Sequence, residues 1–300
     1  MARVAFLTAA TMLADHPARR EDHWEFDLEF PPLVAGCRAR GIELETVVWD
    51  DPSLDPTAWD AFVVGTTWDY AEQPEAFLAR LEEIAAIRPL FNPLATMRWN
   101  LDKRYLTDLE ARGCAVVPTL WRDRADAPTL AAAFDELDVE ELVVKPQVGA
   151  SAWRQARLRR GEALPPAEEL PPGACMIQPF LEAAEGEGEY SFLYFDRRFS
   201  HCALKVAAAG DYRVQSMYGG RERIHEPSAA ELALAQEVVD AVEGPLLYAR
   251  VDMMRGPDGR LLLMELELVE PYLYPEQGPE MGPRFADGLV RLLDRPVSHP

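Results

Sequence analysis

Two short stretches near the C-terminus, Arg250-Val251-Asp252 and Met264-Glu265-Leu266-Glu267, decide the fold. A Gly-Pro-Asp-Gly turn separates the apolar segments that carry them, which predicts an antiparallel hairpin. Because residues two apart in a strand share a face, Glu265 and Glu267 should project together beside Asp252 on the partner strand. Three carboxylates gathered in this way repel one another unless a cation neutralises them, and hard oxygen ligands favour Mg²⁺ or Mn²⁺.

The alternative interpretation of these acids is a solvated sheet face with alternating charge. The residues that flank the two glutamates argue against it, because they make one face of the strand strongly apolar: Leu261, Leu262, Leu263, Met264, Leu266 and Leu268. The glutamates are then left as the polar residues of the other face. We therefore predict a metal site on this hairpin.

Lysine occurs only three times, at Lys103, Lys145 and Lys205, among 30 lysines and arginines. A compact ammonium suits a phosphate oxygen in a tight loop better than a planar guanidinium does. Lys145 ends a predicted strand and is soon followed by Gly149, so a flexible loop can bring backbone amides to phosphate oxygens. The loop is neither a G-x-x-x-x-G-K-[ST] nor a G-x-G-x-x-G motif, which disfavours both folds that those motifs mark. With the acidic hairpin, the lysines predict binding of Mg-ATP.

Composition narrows the class of protein further. A chain of 300 residues is long enough for two or more lobes sharing a cleft. Its net charge of −21 repels polyanions, so we expect neither nucleic acid nor a membrane surface as a partner. No apolar stretch approaches the roughly 20 residues of a membrane span, and the four scattered cysteines are typical of reduced core residues. We expect a cytoplasmic enzyme.

Hydrophobic patterning predicts two kinds of architecture along the chain. Apolar runs at 4–7, 44–48 and 61–65 alternate with helical spacing at 32–40 and 74–87, which is βαβ patterning with a parallel sheet. Later segments follow as helices at 99–113, 127–137 and 228–242 and as strands at 141–145, 174–178, 189–195, 199–206, 212–217, 247–254 and 260–267. A proline-flanked break at 88–93 marks the first domain boundary.

The order of eight short motifs resembles that of the ATP-grasp ligases, within the branch of glutathione synthetase and the ribosomal S6 modification enzymes. The motifs are Asn100-Leu101-Asp102-Lys103, Val143-Val144-Lys145-Pro146, Gln178-Pro179-Phe180-Leu181, Gly188-Glu189-Tyr190-Ser191, Lys205, Gly210-Asp211-Tyr212-Arg213, Arg250-Val251-Asp252 and Glu265-Leu266-Glu267. The resemblance implies an α/β fold with an N-terminal βαβ domain at 1–97 and two ATP-grasp lobes with antiparallel sheets, at 98–180 and 181–300.

The same resemblance implies roles for individual residues toward ATP and the metal. Lys103 and Lys145 would contact the α and β phosphates under the loop that contains Gly149 and Ser151. The hinge residues Gln178, Pro179, Phe180 and Leu181 would read adenine, Glu189 would bind the ribose, and Lys205 the γ-phosphate. Asp252, Glu265 and Glu267 would hold two Mg²⁺ ions, although this family commonly has Asn in place of Glu267.

The implied chemistry is attack of a substrate carboxylate on the γ-phosphate, followed by attack of an amine on the acylphosphate. Fixed cations suit the charge that develops, so Arg250 is assigned to the phosphoryl group and Arg213 to the carboxylate or tetrahedral intermediate. An ion pair between Arg213 and Asp211 is the alternative for that arginine. The substrate would meet Thr67, Trp68, Asp69 and Tyr70, which follow a strand of the parallel sheet, and the turn at Gly219 and Gly220; loop packing is the alternative for the Trp-Asp-Tyr element.

The sequence therefore predicts an ATP-dependent carboxylate–amine ligase for an amino acid or small peptide. The chain is also similar to the cyclo-ligase that closes the ring of the antibiotic D-cycloserine. Both intramolecular and intermolecular ligation therefore stay open. Two alternatives are a phosphotransferase that stops at the phosphorylated product and a nucleotide-binding module without catalysis. A homodimer is the default expectation for such an enzyme.

Overall fold

A computed structural model describes residues 1–149, 153–208 and 219–294. The predicted strand at 212–217 and the predicted site residues Ser151 and Arg213 lie outside the described residues. The first sheet is parallel, with the strand order β2-β1-β3-β4 and helices α1 and α2 in its connections. These elements are β1 (Ala2–Thr8), α1 (His23–Ala39), β2 (Ile42–Val48), β3 (Ala61–Val64), α2 (Pro74–Ala85) and β4 (Leu90–Phe91). The predicted βαβ patterning is confirmed.

The second sheet has four antiparallel strands in the order β5-β8-β6-β7, and α5 packs against it. This part of the chain contains α3 (Leu94–Leu101), α4 (Tyr105–Ala111), β5 (Leu120–Arg122), α5 (Ala127–Leu137), β6 (Glu141–Pro146), β7 (Ala156–Arg159) and β8 (Cys175–Pro179). The core beneath the sheet is built from aliphatic side chains, among them the fully buried Leu130, Leu142 and Val144.

The third sheet has five antiparallel strands in the order β11-β10-β9-β12-β13, and it carries the acidic hairpin. Its elements are β9 (Glu189–Phe195), β10 (Arg198–Val206), β11 (Arg221–Ile224), α6 (Ala229–Ala241), β12 (Tyr248–Arg255), β13 (Leu261–Glu267) and α7 (Met281–Leu293). The predicted antiparallel lobes are confirmed, whereas the domain boundaries at 97 and 180 stay a prediction.

Helix α7 was missed by the sequence analysis, and it joins the last part of the chain to the first. A Cβ atom on Gly36 of α1 would lie 2.2 Å from the Gly282 carbonyl oxygen, so glycine permits the two helices to touch at this point. Phe285 and Leu289 of α7 share one buried core with β1 and β9. The signal was present as apolar residues at helical spacing: Met281, Phe285, Leu289 and Leu292.

Two helix predictions were wrong in extent. Helix α1 begins at His23 rather than at 32, because the buried side chains of Phe26 and Leu33 extend one core-facing stripe across Pro31 and Pro32. The helix predicted at 99–113 is instead two helices, α3 and α4. The chain is extended at Asp102, between them, and the Lys103 amide donates a 3.1 Å hydrogen bond to the Gln147 carbonyl instead of continuing the helix.

A β-bulge in β13 corrects the simple alternation expected for the acidic hairpin. Met264 is an extra residue between the ladder pairs Asp252–Glu265 and Met253–Leu263. In a regular strand Leu263 and Glu265, which are two residues apart, would share a face, since side chains alternate along a strand. The bulge allows Leu263 to be fully buried in the core while Glu265 faces a cleft.

Candidate active site

A cleft of about 620 Å³ lies where the three sheets meet. The carboxyl end of the first sheet contributes Trp68 and Tyr70, the second sheet contributes Lys145 and the hinge, and the third contributes the acidic hairpin. Most of the predicted site residues line this one cleft: Trp68, Tyr70, Lys103, Lys145, Gly149, Gln178, Pro179, Phe180, Leu181, Glu189, Lys205, Arg250, Asp252, Glu265 and Glu267. Their individual roles stay predictions.

The break between α3 and α4 aims Lys103 into the cleft. Its Nζ atom lies 2.6 Å from a Glu265 carboxylate oxygen and donates to the Gly149 carbonyl at 2.7 Å. Burial opposes ionisation of Glu265, but the nearby Lys103 and Lys145 outweigh it and lower the pKa of the carboxyl. Glu265 is therefore held as a carboxylate.

Lys205 is almost entirely buried in β10, at 4% exposure. Its ammonium pairs with Glu189 and lies 3.5 Å from an Asp252 oxygen. Burial disfavours the charged ammonium, yet Asp252 and Glu189 raise its pKa above the ordinary value. The Ser191 hydroxyl also donates to Asp252, so this carboxylate is bonded from two neighbouring strands.

Arg250 forms the second buried charge network of the hairpin. Its guanidinium donates to both Asp252 oxygens, at 2.9 to 3.1 Å, and to Glu267. Burial nevertheless raises the pKa of Glu267 to about 8, because Arg250 opposes the shift only in part and the other acids add to it. Among the described residues, no group of three or more His, Cys, Asp or Glu side chains is arranged to hold a metal ion. Each carboxylate of the hairpin instead forms an ion pair with a lysine or arginine.

Lys145 differs from the other two lysines. Within the described ranges its ammonium makes no hydrogen bond or ion pair, and burial lowers its pKa despite attraction from Glu265 and Glu189. A buried cation in this position is stabilised by any anion that enters the cleft.

The hinge and its surroundings make the apolar end of the cleft. Phe180 and Leu181 line it together with Met254 and Met264 of the hairpin. The Phe180 amide donates a 3.0 Å hydrogen bond to the Glu141 carbonyl. The prediction that the hinge residues read adenine stays a prediction.

The opposite end of the cleft is acidic and aromatic. The Tyr70 hydroxyl donates to the Glu270 carboxyl, and Trp68 Nε1 donates to the Glu270 carbonyl at 2.9 Å. Burial raises the pKa of Glu270 to about 7, against the opposing effects of Tyr70 and Lys103. Tyr272 and Trp24 also line this end, with ring centroids 6.3 Å apart.

Four predicted substrate residues are not part of the cleft lining. Thr67 is fully buried, and the Asp69 carboxylate accepts a 2.8 Å hydrogen bond from Trp49 Nε1, which makes it part of the loop packing. Gly219 and Gly220 also lie outside the lining residues. The sequence analysis missed Trp24 and Glu25 of α1, which do line the cleft. The only sequence feature that could have indicated a place in the cleft was their position after the first strand.

These sheets and this cleft define the class of fold, which is the ATP-grasp fold. The chain matches the ATP-grasp ligase PsnB complexed with minimal precursor, Mg and ADP, with a TM-score of 0.64 at 16% identity over 97% of this chain and 98% of that chain. It matches D-alanine–D-alanine ligase from Bacillus anthracis complexed with ATP with a TM-score of 0.67 at 16% identity, covering 98% of this chain and 97% of that chain. At these identities the likeness shows the fold.

Three further comparisons identify the family within this class. The chain is 34% identical over 284 residues to the cycloserine biosynthesis protein DcsG of Streptomyces lavendulae, covering 89% of this chain and 94% of that protein. The crystal structure of D-cycloserine synthetase DcsG matches with a TM-score of 0.83 at 28% identity, over 97% of this chain and 100% of that chain. The model of the DcsG N-terminal domain matches residues 4–92. The chain belongs to the DcsG family.

Among the described residues, no helix is both long and apolar enough to cross a membrane.

Proposed function

We propose that the protein uses Mg-ATP to activate the carboxylate of an amino-acid-like small molecule and to join it to an amine. The carboxylate oxygen bonds to the γ-phosphorus as ADP leaves, and the amine nitrogen then bonds to the acyl carbon as phosphate leaves and the nitrogen loses a proton. The observation that carries the proposal is the cleft itself, which gathers Lys103, Lys145, Lys205 and Arg250 beside three carboxylates.

The hairpin carboxylates fit a divalent cation by their chemistry and placement. Asp252 and Glu265 are directly opposite in the strand ladder, and Glu267 faces the same cleft. Mg²⁺ held by these oxygens would neutralise charge on the phosphates. The wider family commonly has Asn at the position of Glu267. Here the additional negative charge of Glu267 is balanced by an ion pair with Arg250.

The phosphates would replace the present partners of the lysines. Lys145 has no ion pair among the described residues and can bind an anion without losing a contact. Lys205 and Arg250 already converge on Asp252, beside the hairpin, where a γ-phosphate and a substrate carboxylate would meet. Arg250 is the residue we assign to the transferring phosphoryl group.

The acidic and aromatic end of the cleft would hold the substrate. A free amino acid brings an ammonium group, which a buried carboxyl such as Glu270 and the ring faces around it can stabilise. Trp68 and Tyr70 hold Glu270 in place from the first sheet. Because the cycloserine biosynthesis protein DcsG matches 89% of this chain and the D-cycloserine synthetase structure matches 97% of it, closure of a ring within one such substrate is the reaction we favour.

The test is release of ADP and phosphate by the purified protein with Mg-ATP. Amino acids, O-ureido-D-serine and small peptides are offered singly and in pairs, and mass spectrometry identifies the products. A product that has lost water from one substrate supports ring closure, and one that joins two substrates supports intermolecular ligation. ADP with a stable phosphorylated substrate would instead make the protein a phosphotransferase. ADP formation that no substrate stimulates would refute the ligase proposal.

A further inference from the structure

The strand that carries Glu265 and Glu267 lies at the edge of its sheet. On its inner side β13 pairs with β12. On its outer side the main chain of residues 115–117 bonds it only at Leu263, where Leu263 N donates to the Ala115 carbonyl at 2.7 Å and Val117 N donates to the Leu263 carbonyl at 3.1 Å. An edge strand whose amides and carbonyls have no hydrogen-bond partner is free to twist. The groups that bond the outer edge of β13 near Glu265 and Glu267 therefore determine how rigid this acidic segment is.

Two buried side chains form hydrogen bonds with the outer edge of β13 beside the glutamates. Asn100 Nδ2 donates to the Leu266 carbonyl, and Leu268 N donates to Asn100 Oδ1, both at 2.8 Å. Leu266 N donates to the Tyr105 hydroxyl at 2.8 Å. The Asn100 amide thus supplies one donor and one acceptor to residues two apart, which is what a residue of a neighbouring strand would supply.

The same two side chains bracket the helix break that presents Lys103. Asn100 lies near the end of α3, and Tyr105 begins α4. Between them, the Lys103 amide donates to the Gln147 carbonyl at 3.1 Å, and Gln147 Nε2 donates to Asp102 Oδ2 at 2.8 Å. One short segment therefore binds the edge of the acidic strand and the start of the loop that contains Gly149.

We infer that Asn100 and Tyr105 are positioning residues that set the protein's affinity for Mg²⁺ in the presence of nucleotide. They fix the main chain at Leu266 and Leu268, and this main chain aims Glu265 and Glu267. A carboxylate whose backbone is held needs no reordering when the cation binds, so loss of the clamp weakens the metal and not the nucleotide itself. The inference rests on the metal assignment of the proposed function.

The test measures ADP affinity by calorimetry across a Mg²⁺ titration, with a metal-free arm in EDTA. Asn100→Leu should raise the Mg²⁺ concentration at half-effect about tenfold and leave the metal-free ADP affinity unchanged. His201→Leu is the matched control, because this buried side chain also bonds main chain, at the Leu273 carbonyl (2.9 Å), but outside the acidic hairpin. This control should lower the melting temperature and leave the Mg²⁺ midpoint where it was.

Tyr105→Phe keeps the test decisive if Asn100→Leu does not fold, because it removes a single oxygen. We expect it to raise the Mg²⁺ midpoint a few-fold. Unchanged midpoints in the folded variants at positions 100 and 105, or an equal shift in His201→Leu, would overturn the clamp while leaving the metal site standing. Wild-type ADP binding that does not respond to Mg²⁺ would overturn the metal assignment and the clamp with it.

Discussion

Replacing Glu29 with Gln should stabilise the protein at neutral pH and leave its stability nearly unchanged near pH 4. Glu29 lies in α1 at 2% exposure, and one of its carboxyl oxygens accepts a 2.7 Å hydrogen bond from Leu273 N. Burial raises the pKa of this carboxyl from its ordinary 4.5 to about 8, because the hydrogen bond and the distant Arg250 offset only part of the desolvation. Glutamine keeps an oxygen acceptor for Leu273 N and has no charge to bury.

The sign and size of the effect follow from proton linkage. Between pH 4.5 and about 8 the folded protein holds a proton on Glu29 that the unfolded chain has released, so stability falls as pH rises. At about 1.4 kcal/mol for each pH unit, the penalty is about 3 kcal/mol at pH 7. It is fully absent below pH 4.5, where both states are protonated.

Urea unfolding of the wild type and of Glu29→Gln between pH 4 and pH 8 measures this difference. The gap in unfolding free energy should open above pH 4.5 and widen to pH 8. Glu237→Gln, at an exposed position in α6, is the matched control. A gap as large as that of Glu29→Gln would contradict the role of burial. A gap that is the same at pH 5 and pH 7.5, or a variant less stable than the wild type throughout, would refute the assignment of a protonated Glu29.

Three further changes test the site and its surroundings. Glu265→Gln should abolish ADP formation with an unchanged circular dichroism spectrum, because it removes a carboxylate of the proposed metal site; normal turnover would contradict that site. Lys205→Arg should reduce kcat at least a hundredfold, since a guanidinium does not fit the buried ammonium site beside Glu189. Full activity would show that any cation suffices. Gly278→Ala should destabilise the fold by about 1–3 kcal/mol in thermal melts, because the new methyl would lie 2.3 Å from the buried ring of His201; an unchanged melting temperature would show that the ring can move.

The sequence was most informative where local pattern and chemistry agree. The hairpin turn, the apolar strands and the three lysines predicted an antiparallel acidic hairpin and a cleft, and the structure brings Lys103, Lys145 and Lys205 to that cleft. The same reasoning failed at 99–113, where helical spacing is continuous but the chain breaks. That break depends on the Gln147 carbonyl, which is distant in sequence and therefore invisible to local periodicity.

By itself the sequence determined the kinds of element, the order of the motifs and the charge inventory of the site, since these depend on neighbouring residues. Only the tertiary structure decided which strand faces meet and which charges pair. The bulge at Met264 turns Glu265 to the cleft, and the partners of β13 at Asn100 and Tyr105 come from well over a hundred residues away in the chain. Register, burial and electrostatic coupling arise from long-range packing, and no local pattern encodes them.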